Sequence, residues 1–320
     1  MITAFKNHWF KMTDKRSSLQ KALDWVKKNR IPHGGVVVHH QTKDVSEEVT
    51  GYLIESLYNA GEKEFAFDLA RWEASVQRPD GAFVAPGTKD PYTFDTAQVV
   101  RGFLAVVDEK PEFKPNLLRA CDFIAGQIDA TGEVHTPIYN AWTFPDGSKF
   151  SDYCNLFVLY PLIQAGRKFK VAQYEDAGIR ALNFYKQKSD LVEFKPELGT
   201  LSHIFGYMLE ALADLDQNTL VKKGLDQAAR IQKPDGAIPA YPGVNWVCST
   251  GMAQLGLAWF KTGNREQARR MLDYLEKIQN PSGGFYGSYG KSGQYFPNEE
   301  ISWANKFFID LYLLIKGKDV

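Results

Sequence analysis

The chain has 320 residues, in which 38 Lys and Arg balance 38 Asp and Glu, and it is rich in aromatics, with 7 Trp, 15 Tyr and 21 Phe. A formal net charge of zero supplies no basic excess to recruit polyanions, so nucleic acid is excluded as the expected partner. A hydrophobic content of 44% can offset the ordering entropy of a packed core, which excludes a disordered chain.

The first 16 residues, MITAFKNHWFKMTDKR, break every apolar stretch with a charge and so lack the core of a secretory signal. The longest apolar run, Leu156 to Ile163, is far below the roughly 20 residues of a membrane-spanning helix, and no transmembrane segment is expected. Cys121, Cys154 and Cys248 are odd in number and widely spaced, which suits reduced thiols in a cytoplasmic protein.

Residues 1–18 read as an N-terminal extension and 19–320 as a single domain of repeated helix pairs. The first helices of the pairs are expected at Leu19–Asn29, Glu64–Gln77, Asn116–Ile128, Val171–Lys188, Leu220–Gln232 and Gln267–Gln279. Each precedes a more apolar helix: EVTGYLIESL from Glu48, DTAQVVRGFL from Asp95, DYCNLFVLYPL from Asp152, HIFGYMLEAL from His203, CSTGMAQLGL from Cys248 and EISWANKFFI from Glu300. Three of the first helices end in one kind of turn, QRPDGAF (Gln77–Phe83), QKPDGAI (Gln232–Ile238) and QNPSGGF (Gln279–Phe285), where Pro halts the helix and Asp or Ser with Gly reverses the chain.

The first helices are charged on one face, whereas the second are mostly apolar all round. That division predicts an outer ring of first helices around an inner ring of second helices. Both terminal pairs carry strong apolar faces, including Tyr52, Leu53, Phe307 and Phe308, so the fold is expected to close into an all-α (α/α)6 toroid of six hairpins rather than remain an open solenoid.

The Gln-(x)3-Gly-x-Phe turns and the hairpin period resemble the α/α-toroid superfamily of terpenoid cyclases and protein prenyltransferases, from about Leu19 to Lys316. The segments LSHIFGYMLEAL, WVCSTGMAQLGLAW and GGFYGSYGKSGQYFPNEEISWANKFF are similar to squalene-cyclase-like bacterial proteins that accompany surface-polysaccharide biosynthesis. The resemblance implies a toroid, with polysaccharide-biosynthesis proteins as partners. Neither the DxDD nor the DDxxD string of terpenoid chemistry occurs in this sequence.

In a ring whose inner helices start at one end, the starting residues converge on the mouth of a central cavity. Here they are Glu48, Asp95, Asp152, His203, Cys248 and Glu300. The acids also have a purely structural use, because carboxylates cap helix N-termini. As a set, they provide what glycoside, lyase or epimerase chemistry needs: carboxylates pushed apart in pKa, and His203 as a base with Tyr153, Tyr207 or Tyr289 as its partner.

The loops feeding the mouth offer Tyr92, Tyr139, Trp142, Tyr153, Trp246, Tyr289, Tyr295 and Trp303 as platforms for a glycan or sugar conjugate. His39 and His40 are loop residues positioned to touch it. No cofactor is required by this reading. Zinc is the cofactor of a competing one, because Asp152, Cys154 and His203 resemble the Asp-x-Cys…His ligand set of protein prenyltransferases. Two further readings are a His203–Cys248 base and nucleophile pair, and a non-catalytic toroid that binds polysaccharide or protein.

Overall fold

A computed structural model describes residues 15–138, 141, 143 and 149–317. The described residues form twelve α-helices in two concentric rings. The outer helices are α1 (Ser18–Lys28), α3 (Lys63–Val76), α5 (Lys114–Gly126), α7 (Ala172–Lys186), α9 (Asn218–Arg230) and α11 (Arg265–Ile278). The inner helices are α2 (Glu47–Ala60), α4 (Thr93–Val106), α6 (Leu156–Phe169), α8 (Ser202–Asp214), α10 (Ser249–Lys261) and α12 (Ser302–Lys316). Each inner helix packs on the next inner helix in sequence, and α12 packs on α2, so the ring is closed as expected.

Burial follows the sequence pattern. Along α8 nearly every residue is buried, including Ser202, His203 and Glu210, whereas the buried residues of α11 are confined to Ala268, Met271, Leu272 and Leu275, one stripe at helical spacing. Short turns join each inner helix to the outer helix that follows, and these neighbours pack together. The first outer helix, α1, has no preceding inner helix and packs on α12 instead. The two ends of the chain therefore form one hairpin in space, which stitches the toroid shut.

The repeated turn is the second closure device. The side-chain amides of Gln77, Gln232 and Gln279 each donate to the carbonyl of the turn glycine four residues on, Gly81, Gly236 and Gly283, at 3.0 Å. Those glycines have φ of +89°, +94° and +93°, a region that costs other residues strain. A Cβ at Gly81 would sit 2.2 Å from the Arg119 carbonyl of α5, and one at Gly283 would sit 2.0 Å from the Lys21 carbonyl of α1. The turn thus packs one outer helix against the backbone of the next, and Gly283 carries that contact across the chain ends.

The long connections run from each outer helix to the next inner helix over one end of the ring. One is braced within itself by a short antiparallel pair, β1 (Phe83–Val84) with β2 (Pro91–Tyr92), and the last two are joined to each other by another, β3 (Val247–Cys248) with β4 (Ser288–Tyr289). Among the described residues no helix is long and apolar enough to cross a membrane.

Candidate functional site

At the end of the ring covered by these connections lies a cavity of about 560 Å³. The second residue of four inner helices lines it: Glu48 of α2, Phe94 of α4, His203 of α8 and Trp303 of α12. Each step along an α-helix turns the side chain by about 100°, so a shared position in the first turn gives a shared inward direction. Tyr207, one turn below His203, forms the floor, its ring 4.9 Å from that of Phe94, 4.8 Å from Phe157 and 5.6 Å from Phe307. Tyr295, Phe296, Phe150 and His39 complete the wall from the loops.

Two acids, Glu48 and Glu299, line this aromatic chamber, and Glu48 is the one held against its floor. Its Oε1 accepts a hydrogen bond from the Tyr207 hydroxyl at 3.0 Å. Burial pushes its pKa up to about 7, with the Tyr207 hydroxyl and the positive charge of Lys306 pulling the other way. Asp95 lies behind it, buried, and its carboxyl is held well above the usual range by desolvation and then by the charges of Glu48 and Glu47. Glu47 accepts from the Val84 amide at 2.5 Å and is itself raised to about 7 by burial.

His203 is buried, and its Nδ1 lies 2.7 Å from Oε1 of Gln254. An amide oxygen can only accept, so Nδ1 carries the proton and Nε2 keeps its lone pair. Burial lowers the imidazole pKa to about 4, with the Gln254 bond opposing, and the ring is neutral at physiological pH. The chamber therefore combines a carboxyl that titrates near neutrality with an uncharged imidazole acceptor.

The structure gathers some of the expected site residues and separates others. Glu48, His203, Tyr295 and Trp303 line the cavity, and Asp95 adjoins Glu48. Glu300 does not line it: its carboxylate accepts from Trp25 Nε1 at 2.7 Å, Asn280 Nδ2 at 2.8 Å and Ser282 Oγ at 2.5 Å, tying α12 to α1. Asp152 is exposed in a 3-10 turn before α6. Cys248 is fully buried, and desolvation raises its thiol to about 12, which is unsuited to a thiolate nucleophile.

The other aromatic platforms serve the covering loops. Tyr92 pairs with Phe83, Trp246 packs edge-on to Tyr241, and the Tyr153 hydroxyl binds Asp190. The Tyr289 hydroxyl accepts from the Tyr286 amide and donates to Asn280. Tyr139 and Trp142 lie outside the described residues.

Asp152, Cys154 and His203 are not gathered as metal ligands. Among the described residues the one group of three whose ligand atoms lie within 4.8 Å of one another is Asp129, Glu133 and His135. Asp129 there performs turn chemistry after α5, its Oδ1 accepting from the amides of Thr131, Gly132 and Glu133.

Glu73 is a further buried acid, one that the alignment of inner helices does not single out. It is fully buried on α3, and neither carboxylate oxygen makes a hydrogen bond to another protein group. Burial, then the charges of Glu47 and Asp95, raise its pKa well above normal, which disfavours its charged form. Its one mark in the sequence is an acid on the core stripe of an outer helix, three and four residues after Ala70 and Leu69. Phe94, which lines the cavity, is overshadowed in the sequence by the ionisable Asp95 beside it.

No protein-family model matches this chain, and no curated protein matches it. Solved structures do. A structure described as a novel alpha-amylase from Clostridium perfringens superposes with a TM-score of 0.72 at 12% identity, covering 95% of this chain and 99% of that one. One described as wild-type glycosidase gives 0.69 at 10% identity, covering 93% and 96%. An unsaturated glucuronyl hydrolase specific for heparin gives 0.67 at 13% identity, covering 97% of both chains. These likenesses extend over whole chains, and the fold is the α/α toroid that they share.

Proposed function

We propose that this protein is a glycan-modifying hydrolase that acts in the aromatic cavity, with Glu48 as its general acid. The observation that carries the reading is Glu48 itself: a carboxyl lining a chamber of Phe, Tyr and Trp, hydrogen-bonded by Tyr207, with a pKa of about 7. A proton donor is most effective when its pKa lies near the working pH. Glu48 gives its proton to the leaving oxygen of a glycosidic bond. His203, neutral and with Nε2 free to accept, orients the attacking water and takes its proton.

Asp95 acts on Glu48 rather than on the sugar. Its burial and the charges of Glu48 and Glu47 raise its pKa, which disfavours a second negative charge beside the acid. The aromatic rings offer flat apolar surfaces to the C–H faces of sugar rings. The full-chain likeness to proteins described as glycosidases and as an unsaturated glucuronyl hydrolase supports the hydrolytic reading over prenyl transfer.

The test is a panel of aryl glycosides and oligosaccharides incubated with wild type and with Glu48→Gln. Turnover by wild type that falls on the order of a thousandfold in Glu48→Gln supports the assignment. Equal turnover by both proteins overturns it.

A further inference from the structure

The cavity also limits the charge of its ligand. Among the described residues that line it, the side chains able to carry charge near neutrality are the carboxyls of Glu48 and Glu299 and the imidazoles of His39 and His203; no Lys or Arg is among them. His203 is kept neutral by its burial. His39 is likewise lowered, by partial burial first, with Glu299 opposing and His40 adding to the fall. A buried cation, Lys306, acts on Glu48 from outside the lining. Its Nζ is 2.8 Å from Asp310 Oδ2, and it stands over the rings of Phe307 and Tyr52 at 3.9 and 4.8 Å.

An anionic group entering this chamber loses its hydration, meets carboxyls rather than a guanidinium or ammonium, and is faced by apolar rings. A hydroxymethyl or acetamido group at the same place costs little, because both are uncharged and can exchange hydrogen bonds with the exposed amide of Gln294 in the cavity lining. We propose that the sugar unit bound against Glu48 carries no carboxylate, sulfate or phosphate: it is a neutral hexose or an N-acetylated amino sugar. This rests on the glycan reading of the same cavity and sets the chain apart from a neighbour whose name specifies a glucuronyl substrate.

The test is ligand-observed NMR titration of the whole wild-type protein at pH 7 with matched neutral and uronate oligosaccharides: glucose- and N-acetylglucosamine-based chains beside their glucuronate counterparts. Neutral chains are expected to bind at least tenfold more tightly. Their binding should be lost in Trp303→Ala, and in a second titration at pH 8, where Glu48 is mostly ionised, the uronate deficit should shrink at least threefold in Glu48→Gln. Tighter binding of the uronate chains overturns the inference and leaves the glycan reading standing. Binding of neither class overturns both.

Discussion

Glu300 is predicted to hold the toroid closed rather than to take part in chemistry, and the structure sets the size of the effect. Its carboxylate accepts three hydrogen bonds, from Trp25, Asn280 and Ser282, and the residue is 6% exposed. Hydrogen bonds to a charged group contribute about 1.5–3 kcal/mol each, and they do not add when they share an acceptor. Glu300→Ala also strands the indole N–H of Trp25, a residue only 1% exposed. The expected loss is about 3–5 kcal/mol of unfolding free energy.

Urea denaturation followed by circular dichroism measures it. Trp25→Phe removes the indole donor while retaining most of the packing, at an expected cost of about 1.5–3 kcal/mol. In the double variant the two losses should overlap by a similar amount, because the bond can be lost only once. Strict additivity, or a loss under about 1 kcal/mol in Glu300→Ala, refutes the role of this cluster in linking α1 to α12.

Burial and close approach set three more expected outcomes. Glu48 is raised from 4.5 to about 7, so the folded state binds more protons than the unfolded state between those values. Stability should therefore fall as pH rises through that window, by on the order of 3 kcal/mol for this group; Glu48→Gln should be more stable than wild type at pH 8 in thermal melts, and that advantage should be lost at pH 4. A Cβ on Gly102 would lie 2.2 Å from the Gly51 carbonyl where α4 meets α2, so Gly102→Ala should destabilise by about 2–3 kcal/mol in the same urea assay. Cys121, Cys154 and Cys248 are all fully buried, so a thiol reagent should label none of them rapidly in the native protein and all three after denaturation.

The ring architecture was legible because it depends on averages along each helix. Every expected outer helix lies within two residues of an observed one at each end, the stripe on α11 and the uniform burial of α8 being direct consequences of composition. The site depends on single residues, and the alignment of inner helices leads to a cavity-lining residue only where its register matches the observed helix starts. Glu48 and His203 are second residues of their helices and line the cavity. Glu300 lies two residues before α12 begins and Asp152 four before α6, so neither has the inward direction of the first turn.

The equivalent positions are Trp303 and Phe157, which carry no charge to mark them. Helix N-termini attract acids for their own electrostatic reasons, and an acid in a capping segment looks the same in sequence as one aimed into a cavity. Glu73 is the converse: its burial near the charges of Glu47 and Asp95 depends on how α3 packs in the ring, which no local pattern reveals.

Glu48 as the proton donor is put to the sharpest trial by the pH dependence of kcat/KM, for wild type and Glu48→Gln, on whichever neutral glycoside is turned over. A general acid must be protonated, so wild-type activity should fall as pH rises through about 7, the value at which burial places Glu48. Glu48→Gln should lose on the order of a thousandfold at pH 6 and show no such alkaline limb. Activity in Glu48→Gln within about threefold of wild type, with the same alkaline limb, would show that the proton comes from another group.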